Sequence, residues 1–363
     1  MSDTSSADAE IYRARALVLQ HGWNATVYQI LNPGIERWFS AEGDALVGFV
    51  RRRRVRVVAG APVCELHRLA DVVAEWESEA ARAGDRVCYF GAAGRVRALL
   101  GKKTGYATVA LGAQPVWRPW QWAKIMDKHA SLRAQLNRAR NKGVSVSEWP
   151  SERATEHPEL GRCLGEWLQT RGLPSLHFLV EPQTLGRLED RRIFVAERDG
   201  KAVGFVNCSP VPRRNGWLTE QFVRGKNAPN GTVELLIDTA ARTLAADGAD
   251  YLTMGLVPLS ENNRLPSDYN PLWLRFLLTW VRAHGRRFYN FGGLDAFKSK
   301  FHPHRWEPIF AISNEARFSP RTLYAIAAAF TGDRSPVWAV GIGLLKAVRQ
   351  ELRWLRERRG RIA

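Results

Sequence analysis

Short apolar strand signals interleaved with helix signals run through this chain in two rounds, and that alternation constrains its fold more than any other feature. Strands separated by helices close into a mixed sheet, whereas strands alone would build a sandwich and helices alone a bundle. In the first round, Ala45–Val50 and Val55–Ala59 are apolar runs joined by Arg51-Arg52-Arg53-Arg54, which reads as a hairpin with a basic turn. A helix over Leu69–Ala83, ended by Gly84, precedes short strands at Val87–Phe90 and Ala107–Leu111. In the second round, Ile193–Arg198, the turn Asp199-Gly200-Lys201 and Ala202–Cys208 form a hairpin, because Asp-Gly takes the positive φ angles of a tight turn. Trp217–Val223 is a third strand. A helix over Val233–Ala246 follows, with Thr232 as its N-cap and Glu234 in its electropositive first turn. Tyr251–Met254 is the next strand, then come a helix near Leu272–His284 and a last strand around Phe288–Phe291.

Hairpin, strand, helix, strand, helix, strand is the order of an acyltransferase of the GNAT type. The expected fold class is therefore α/β (α+β), with tandem GNAT-like domains and a basic amphipathic helix at the C-terminus. No repeat between the halves is visible in the sequence itself. The predicted division is 1–125 for the first GNAT-like domain, 126–315 for a catalytic one opening on a basic linker helix at 131–142, and 316–363 for a helical tail. Ser319-Pro320 starts that tail as a cap followed by a first-turn proline. Ser335-Pro336 repeats the device and opens a helix running to about Arg359. Trp338, Gly341, Leu345, Val348, Leu352 and Leu355 share its apolar seam, and Lys346, Arg349, Arg353 and Arg356 form a stripe beside it. Such a helix suits an anionic bilayer and equally suits packing on protein.

The 363 residues hold 53 Lys and Arg against 36 Asp and Glu, a formal charge of +17. The excess favours polyanionic partners, nucleic acid or an anionic membrane, although a composition biased toward arginine produces it as well. Part of it is concentrated in Leu132–Lys142, a helix between Ser131 and Gly143. Leu132, Leu136 and Ala139 form one face, Arg133, Asn137 and Arg140 a neighbouring one, and Arg138 and Lys142 are spaced i, i+4. The helix has no acidic residue, which points to a phosphate-facing surface rather than a merely solvated one. Cys64, Cys88, Cys163 and Cys208 stand singly, so neither a disulfide framework nor a zinc site is expected and a reducing compartment is. Met1–Glu10 is polar and acidic, unlike a signal peptide. The longest apolar run, Val337–Val348, carries Lys346 and falls short of the ~20 residues of a membrane span. The expected location is cytoplasmic, peripheral on the inner face of the cell membrane.

Several catalytic motifs are absent: no Walker loop, dinucleotide fingerprint, nucleophile elbow or zincin helix occurs. His302-Pro303-His304 lies beside Lys300 and Arg305, a poor setting for a cation, and no metal or cofactor is expected. The loop Arg224-Gly225-Lys226-Asn227-Ala228-Pro229-Asn230-Gly231 stands where a GNAT enzyme cradles the pyrophosphate of coenzyme A on backbone amides. Asn227 replaces a glycine of that pattern and Pro229 removes an amide donor, which disfavours a coenzyme A substrate.

A set of stretches resembles the C-terminal catalytic domain of the phosphatidylglycerol lysyltransferases, the multiple peptide resistance factor or lysylphosphatidylglycerol synthase family. They are Leu132–Ala139, Ala228-Pro229-Asn230-Gly231, Met254–Ser260, Phe288–Leu294, Phe297-Lys298-Ser299-Lys300-Phe301 and Trp306-Glu307-Pro308, in matching order from about Trp23 to Ile312. No single stretch is diagnostic; their joint occurrence is specific. The resemblance implies a tandem GNAT fold, an aminoacyl-tRNA donor, a phosphatidylglycerol acceptor and no cofactor. Two features depart from it. The family's usual multi-helix flippase region has no counterpart in this sequence, and Trp167–Glu181 differs from the matching lysyltransferase segment, which lies near the substrate.

An aminoacyl ester is already activated, so a protein that transfers it needs to position it, take a proton from the acceptor and stabilise an oxyanion. Glu234, beside the Asn230-Gly231 loop, and Glu220, on the preceding strand, are candidates for that base or for holding the substrate's α-ammonium; ordinary helix-start and strand carboxylates would look the same. His177 is a candidate base or a packed histidine. Ser260 is a hydrogen-bond donor or a cap. Lys298, Lys300 and Arg305 suit a phosphate of tRNA or of a lipid headgroup. Asn290 orients a polar group or closes a turn, and Glu181 ends the segment that the resemblance places near substrate. Arg133, Asn137, Arg138, Arg140 and Lys142 are the candidate tRNA contacts. The expected partners are aminoacyl-tRNA and an anionic phospholipid or membrane surface. A small-molecule acceptor with the same donor, a non-catalytic RNA- or membrane-binding module, and an acyl-CoA enzyme are the alternatives.

Overall fold

Two kinds of chain reversal, a tight hairpin and a helical crossover, occur in the same order in both halves of the molecule. The computed structural model describes residues 2–170, 177–258, 260 and 291–332. The first half runs α1 (Ser2–His21), β1 (Glu36–Phe39), β2 (Leu46–Arg52), β3 (Val55–Ala59), α2 (Leu69–Arg82), β4 (Arg86–Ala92), α3 (Gly94–Leu100) and β5 (Ala107–Trp117). Helices α4 (Trp122–Lys128) and α5 (Ala130–Arg140) lead into β6 (Ser145–Trp149), α6 (Ser151–Ala154), α7 (Pro158–Gln169), β7 (Arg192–Arg198), β8 (Lys201–Val211), β9 (Gly216–Arg224), α8 (Thr232–Ala246), β10 (Tyr251–Thr253) and β11 (Val257–Pro258). After the residues not described come α9 (Phe291–Ser299), β12 (Arg305–Ser313) and α10 (Pro320–Thr331).

Both predicted hairpins close through two-residue turns. Arg52 pairs with Val55, and Arg53 and Arg54 take φ of 49° and 58°. Arg198 pairs with Lys201, and Asp199 and Gly200 take 51° and 72°. Positive φ at both central positions matches the twist of the flanking strands; Asp-Gly adopts it readily, two arginines do not. Arg53 is supported from α10, its guanidinium lying 4.1 Å from the centre of the Tyr324 ring.

The twelve strands of the described residues form one sheet in the order β1-β2-β3-β4-β12-β5-β10-β9-β8-β7-β6, with β11 paired to β5. Strands β1 to β3 are antiparallel, and α2 carries the chain to β4, parallel to β3. Strands β6 to β9 repeat the antiparallel run, and α8 carries the chain to β10, parallel to β9. The fold is α/β with a tandem GNAT-like topology, as the order of elements predicts, although the residues of the two halves show no repeat. The halves interlock: β12, from late in the chain, lies between β4 and β5, and β5 lies between β12 and β10. The sheet is therefore continuous across the predicted boundary at 125/126, and Arg305–Ser313 completes the sheet of the first half.

Helices cover both faces, so the strands alternate between two cores rather than between core and water. In the first half, Val47, Phe49, Val58, Val87 and Tyr89 pack under Leu69, Val72 and Trp76 of α2. Leu46, Val50, Val55 and Val57 face Leu17 and Val18 of α1 and Ala325 and Ala329 of α10. In the second, Phe194, Ala196 and Val206 meet Leu236, Ile237 and Ala240 of α8, and Ile193, Val195 and Phe205 meet Leu160 and Leu164 of α7.

Several local expectations change. Thr232 is not the N-cap of α8: Gly231 holds that position at φ 94°, and the Thr232 hydroxyl donates to the Pro229 carbonyl at 2.8 Å. Only glycine fits, because a Cβ at 231 would lie 2.1 Å from the Gln135 carbonyl oxygen of α5. Phe291 is helical, and the rest of the strand expected around Phe288–Phe291 lies outside the described residues. Helix α1 and strand β12 were not expected at all. Ser319 caps α10 as read, accepting from the Thr322 amide at 3.3 Å with Pro320 in the first turn. The helix expected near Leu272–His284 and the basic helix from Ser335-Pro336 lie outside the described residues. All four cysteines are buried and free, and among the described residues no helix is long and apolar enough to cross a membrane.

Candidate functional site

The end of β9 and the start of α8 open onto a cavity of about 450 Å³. Trp167 and Thr170 from the end of α7 line it, together with Phe222 and Arg224 of β9, Gly225, Lys226, Val233 of α8 and Phe297 of α9. Aromatic walls with a few cations are the composition of a small-ligand site, and the volume is in the usual range of about 300–1,000 Å³.

In an acyl-CoA enzyme the loop at this place offers its amides to pyrophosphate. Here the protein uses them itself. The Gly225 amide donates to Val203 O at 2.9 Å, that of Ala228 to Gly225 O at 3.2 Å, and that of Thr232 to Pro229 O at 3.3 Å. The Lys226 amide donates to the Glu166 carboxylate at 2.7 Å, and Arg162 donates to the same carboxylate at 3.0 Å. The Lys226 amide, with Arg162 behind it, holds the Glu166 carboxyl below the usual carboxylate range. A fixed negative charge thus sits on the loop where a pyrophosphate would have to bind. Arg224, although exposed, donates to Ala228 O at 2.9 Å and to the Asn230 side chain at 3.0 Å, which fixes the loop's shape.

Of the residues predicted from sequence, two meet beside this cavity. Lys300 Nζ donates to Glu234 Oε1 at 2.5 Å and lies 4.2 Å from the centre of the Phe297 ring, a wall of the cavity. Lys298 does not face it, nor can it reach a phosphate: its ammonium is buried and donates to the carbonyls of Met254, Gly255 and Leu256 at 2.5, 3.0 and 3.2 Å. Burial pushes its pKa down to about 7. Lys298 therefore ties α9 to the segment after β10. Ser260 joins the same helix, donating to Asp295 at 3.1 Å.

Other candidates serve elsewhere. Glu220 is buried where the halves meet, accepting from Gln29 of the first half at 2.5 Å, from Arg191 at 3.2 Å and from Asn207 at 3.3 Å. Arg191 in turn donates to Asn32, and Asp190 beside it accepts from Arg15 and Tyr28. A carboxylate so thoroughly bonded holds the junction together. His177 Nδ1 lies 2.7 Å from Glu181 Oε2, and its amide donates to Phe330 O of α10. This joins the two candidates as a pair, at a different place from the cavity walls. Arg305 donates to Glu307, which also accepts both arms of Arg214 and the side-chain amide of Gln114. Asn290 lies outside the described residues.

On α5, Leu132, Leu136 and Ala139 are buried, whereas Arg133, Asn137, Arg138, Arg140 and Lys142 lie on the remaining, more open side. The helix is not wholly without acidic partners: Asp238 of α8 lies 3.7 Å from Arg140. Arg133 donates to the carbonyls of Met126 and Asp127 and closes the end of α4. The close approach of Gln135 to Gly231 puts this basic helix against the start of α8, next to the cavity loop.

Sequence reading missed most of the cavity wall. Trp167 and Phe297 stood in quoted stretches without a role, and Arg224 and Lys226 stood in a loop read only for its misfit to coenzyme A. Glu166 carried no signal at all, since nothing in the spacing of α7 and β9 tells that its carboxylate meets the Lys226 amide.

Fold and cavity together define a protein of the tandem GNAT-like class with a ligand-sized cavity in its second half. Residues 15–313 match the family described as phosphatidylglycerol lysyltransferase, C-terminal, and the chain belongs to that family. It is 25% identical over 332 residues to a phosphatidylglycerol lysyltransferase of Bacillus subtilis, covering 88% of this chain and 37% of that protein. An uncharacterized protein of Corynebacterium glutamicum is 22% identical over 288 residues, which are 74% of this chain and 35% of its own length. The chain thus spans little more than a third of these relatives. Among solved structures it resembles the C-terminal domain of a putative lysylphosphatidylglycerol synthetase from Agrobacterium fabrum, with a TM-score of 0.76, 21% identity and coverage of 90% and 98% of the two chains. It also resembles the L-PGS structure from Bacillus licheniformis, with a TM-score of 0.73, 22% identity and coverage of 88% and 95%.

Proposed function

We propose that this protein is an aminoacyltransferase that takes its aminoacyl group from charged tRNA and passes it to a hydroxyl of a phosphatidylglycerol-type lipid. The observation that carries the reading is the packing of α5 against Gly231 through Gln135 and Ala139, with its basic residues on the open side, beside a loop whose Gly225, Lys226 and Ala228 amides are bonded within the protein. A polyanion lying on α5 would bring its end to the cavity, and electrostatic contact with phosphates needs no more than exposed arginines and lysines. Membership of the family and the curated lysyltransferase relative supply the lipid acceptor.

The chemistry asked of the protein is modest. The acceptor hydroxyl attacks the carbonyl carbon of the aminoacyl ester, its proton leaves to a base, and the tRNA ribose oxygen departs with a proton. The aromatic walls hold the aminoacyl group, Glu234 takes the hydroxyl proton, and the Lys300 ammonium faces the developing oxyanion. The two are already paired, so one incoming polar group on each separates them. General-base help of this kind contributes about 10²–10⁴-fold. Lys298 and Ser260 are positioning residues that hold the segment after β10 against α9.

The test is to incubate the full chain with a mixture of all aminoacyl-tRNAs and phosphatidylglycerol vesicles, then extract the lipid for mass spectrometry. A phosphatidylglycerol species heavier by one aminoacyl residue is expected. Transfer to water-soluble hydroxyl compounds alone would replace the lipid acceptor by a soluble one, and tRNA binding without any transfer would reduce the protein to a binding module.

A further inference from the structure

The duplication of the fold duplicates the cavity. In the second half the cavity lies between α7, which precedes β7, the loop leading to the crossover helix (β9 to α8) and α9, which follows the residues not described. The end of α1 and the loop from β3 to α2 hold the corresponding first two places in the first half, and α3 lies beside them. They also enclose a cavity, lined among others by His21, Trp23, Cys64, Leu66 and Arg95. At about 20 Å³ it is far too small for an organic substrate, which needs about 300 Å³ or more.

Its charge is unusual. The Arg95 guanidinium stacks 3.5 Å from the centre of the Trp23 ring, and Arg214 lies 4.8 Å from the same centre. Arg214 is neutralised by Glu307 at 2.8 Å, and Arg213 reaches Glu65 at 3.8 Å. Arg95 has neither a carboxylate nor a hydrogen-bond acceptor among the described residues, although it is partly buried. Burial, Arg213 and Arg214 lower its pKa, so its charge is held at a cost. His21 lies more than nine-tenths buried in the same wall, and its Nδ1 makes no hydrogen bond among the described residues. Glu65 lies 3.5 Å from that nitrogen, within ion-pair range. A partly buried cation and a buried ring nitrogen, both without hydrogen-bond partners among the described residues, are the two halves of an incomplete network.

We propose that this first-half cavity anchors a small oxyanion such as phosphate, held by Arg95 and His21 on the Trp23 ring. A planar guanidinium fixed by stacking presents its remaining N–H groups as a fork suited to two phosphate oxygens. His21 supplies an N–H to a third oxygen in the tautomer that protonates Nδ1. The small volume admits the anion's inner oxygens and leaves the rest at the mouth, so inorganic phosphate and the phosphodiester of a lipid headgroup present the same chemistry. The site is separate from the proposed aminoacyl cavity and does not depend on that reading.

Calorimetric titration of the full chain with inorganic phosphate tests it, with Arg95→Gln as the variant and Arg82→Gln on the exposed side of α2 as the control for general charge. Arg95 makes no hydrogen bond with a described group, but Arg95→Gln gives up the stack on Trp23, so binding is compared below the melting temperature measured for each protein. Phosphate should bind the wild type and Arg82→Gln alike, and Arg95→Gln about tenfold or more weakly, the effect of losing charged hydrogen bonds. Arg95→Lys, which keeps the charge without the fork, should fall between. Displacement of bound phosphate by glycerophosphoglycerol would assign a headgroup as the natural source, and failure to displace it the free anion; both outcomes keep the site. Absence of phosphate binding to the wild type, or equal binding to Arg95→Gln, overturns the proposal.

Discussion

The Glu166 carboxylate accepts the backbone N–H of Lys226 at 2.7 Å, joining α7 to the loop that precedes α8. That hydrogen bond decides which donor the second-half cavity can take. An amide already bonded to a carboxylate is not available to a pyrophosphate, and the carboxylate repels one. Coenzyme A and acetyl-CoA should leave the melting temperature of the full chain unchanged, while charged tRNA should raise it. A concentration-dependent rise with coenzyme A would refute the assignment of this loop.

Lys298 carries the clearest pH signature. Burial lowers its pKa from 10.5 to about 7 in the folded protein. Between those values the unfolded chain binds more protons at this site than the folded one. The Lys298 contribution to stability therefore rises with pH, by up to about 1.4 kcal/mol per unit, and levels off near the unfolded pKa. Other groups titrate in the same range, so the measurement is a difference. Denaturant unfolding of wild type and Lys298→Met from pH 7 to 10 should show the wild type gaining relative to the variant as pH rises. A difference that stays flat with pH would mean that Lys298 keeps its proton on the three carbonyls throughout.

The Glu220–Arg191 pair separates a structural carboxylate from a catalytic one. Both side chains are almost fully buried, and Gln29 of the first half donates to the same carboxylate. Glu220→Ala strands a buried guanidinium, a loss of about 3–5 kcal/mol. Thermal unfolding should show that loss, and whatever protein remains folded should transfer at a rate near the wild type's. A variant with wild-type stability and abolished transfer would restore Glu220 as a catalytic candidate.

How much of this was legible depends on whether the signal was local. Asp199-Gly200, Ser319-Pro320 and the buried stripe Leu132, Leu136, Ala139 follow from neighbours in sequence, and the structure agrees with each. The family resemblance was legible too, through several short stretches in order. The insertion of β12 between β4 and β5 was not, because it pairs residues near 310 with residues near 90 and 110. For the same reason Lys298 and Lys300 looked alike in sequence. One is buried on carbonyls and the other pairs with Glu234, a difference set by position: Lys298 lies in the last turn of α9, and Lys300 follows its end. Arg95 and His21 were invisible, since no spacing relates them until the first half repeats the layout of the second.

The open face of α5 should act through charge alone. Arg138 and Lys142 are solvent-facing and lie outside the buried Leu132, Leu136, Ala139 stripe, so replacing both with glutamine should leave the melting temperature within about a degree or two, as expected for surface changes. Removing one cation from a tRNA phosphate should lower the slope of log K against log salt by about 0.7–0.9. The double variant should therefore bind tRNA more weakly at low salt and converge on the wild type at high salt. An unchanged salt slope would place tRNA on another surface.

Gly231 links that basic helix to the cavity, and its replacement tests whether the link matters. Its φ of 94° is strained for any L side chain, and a Cβ would collide with the Gln135 carbonyl at 2.1 Å. Gly231→Ala must therefore shift the start of α8 away from α5 or unwind its first turn, at a cost of about 1–3 kcal/mol. If α5 delivers the tRNA end to the cavity, the shift should depress transfer more than it depresses tRNA affinity, because the phosphates stay on α5 while the aminoacyl ester is displaced from Glu234 and Lys300. Displacements of about 1 Å suffice for a loss of roughly 10²-fold in rate. Gly248→Ala is the matched control, at φ 78° after α8 with nothing within 4 Å of its Cβ. It carries comparable backbone strain without the collision, and its transfer rate should follow its stability. If Gly231→Ala and Gly248→Ala lose stability and transfer in the same proportion, the approach of Gln135 to Gly231 is packing alone.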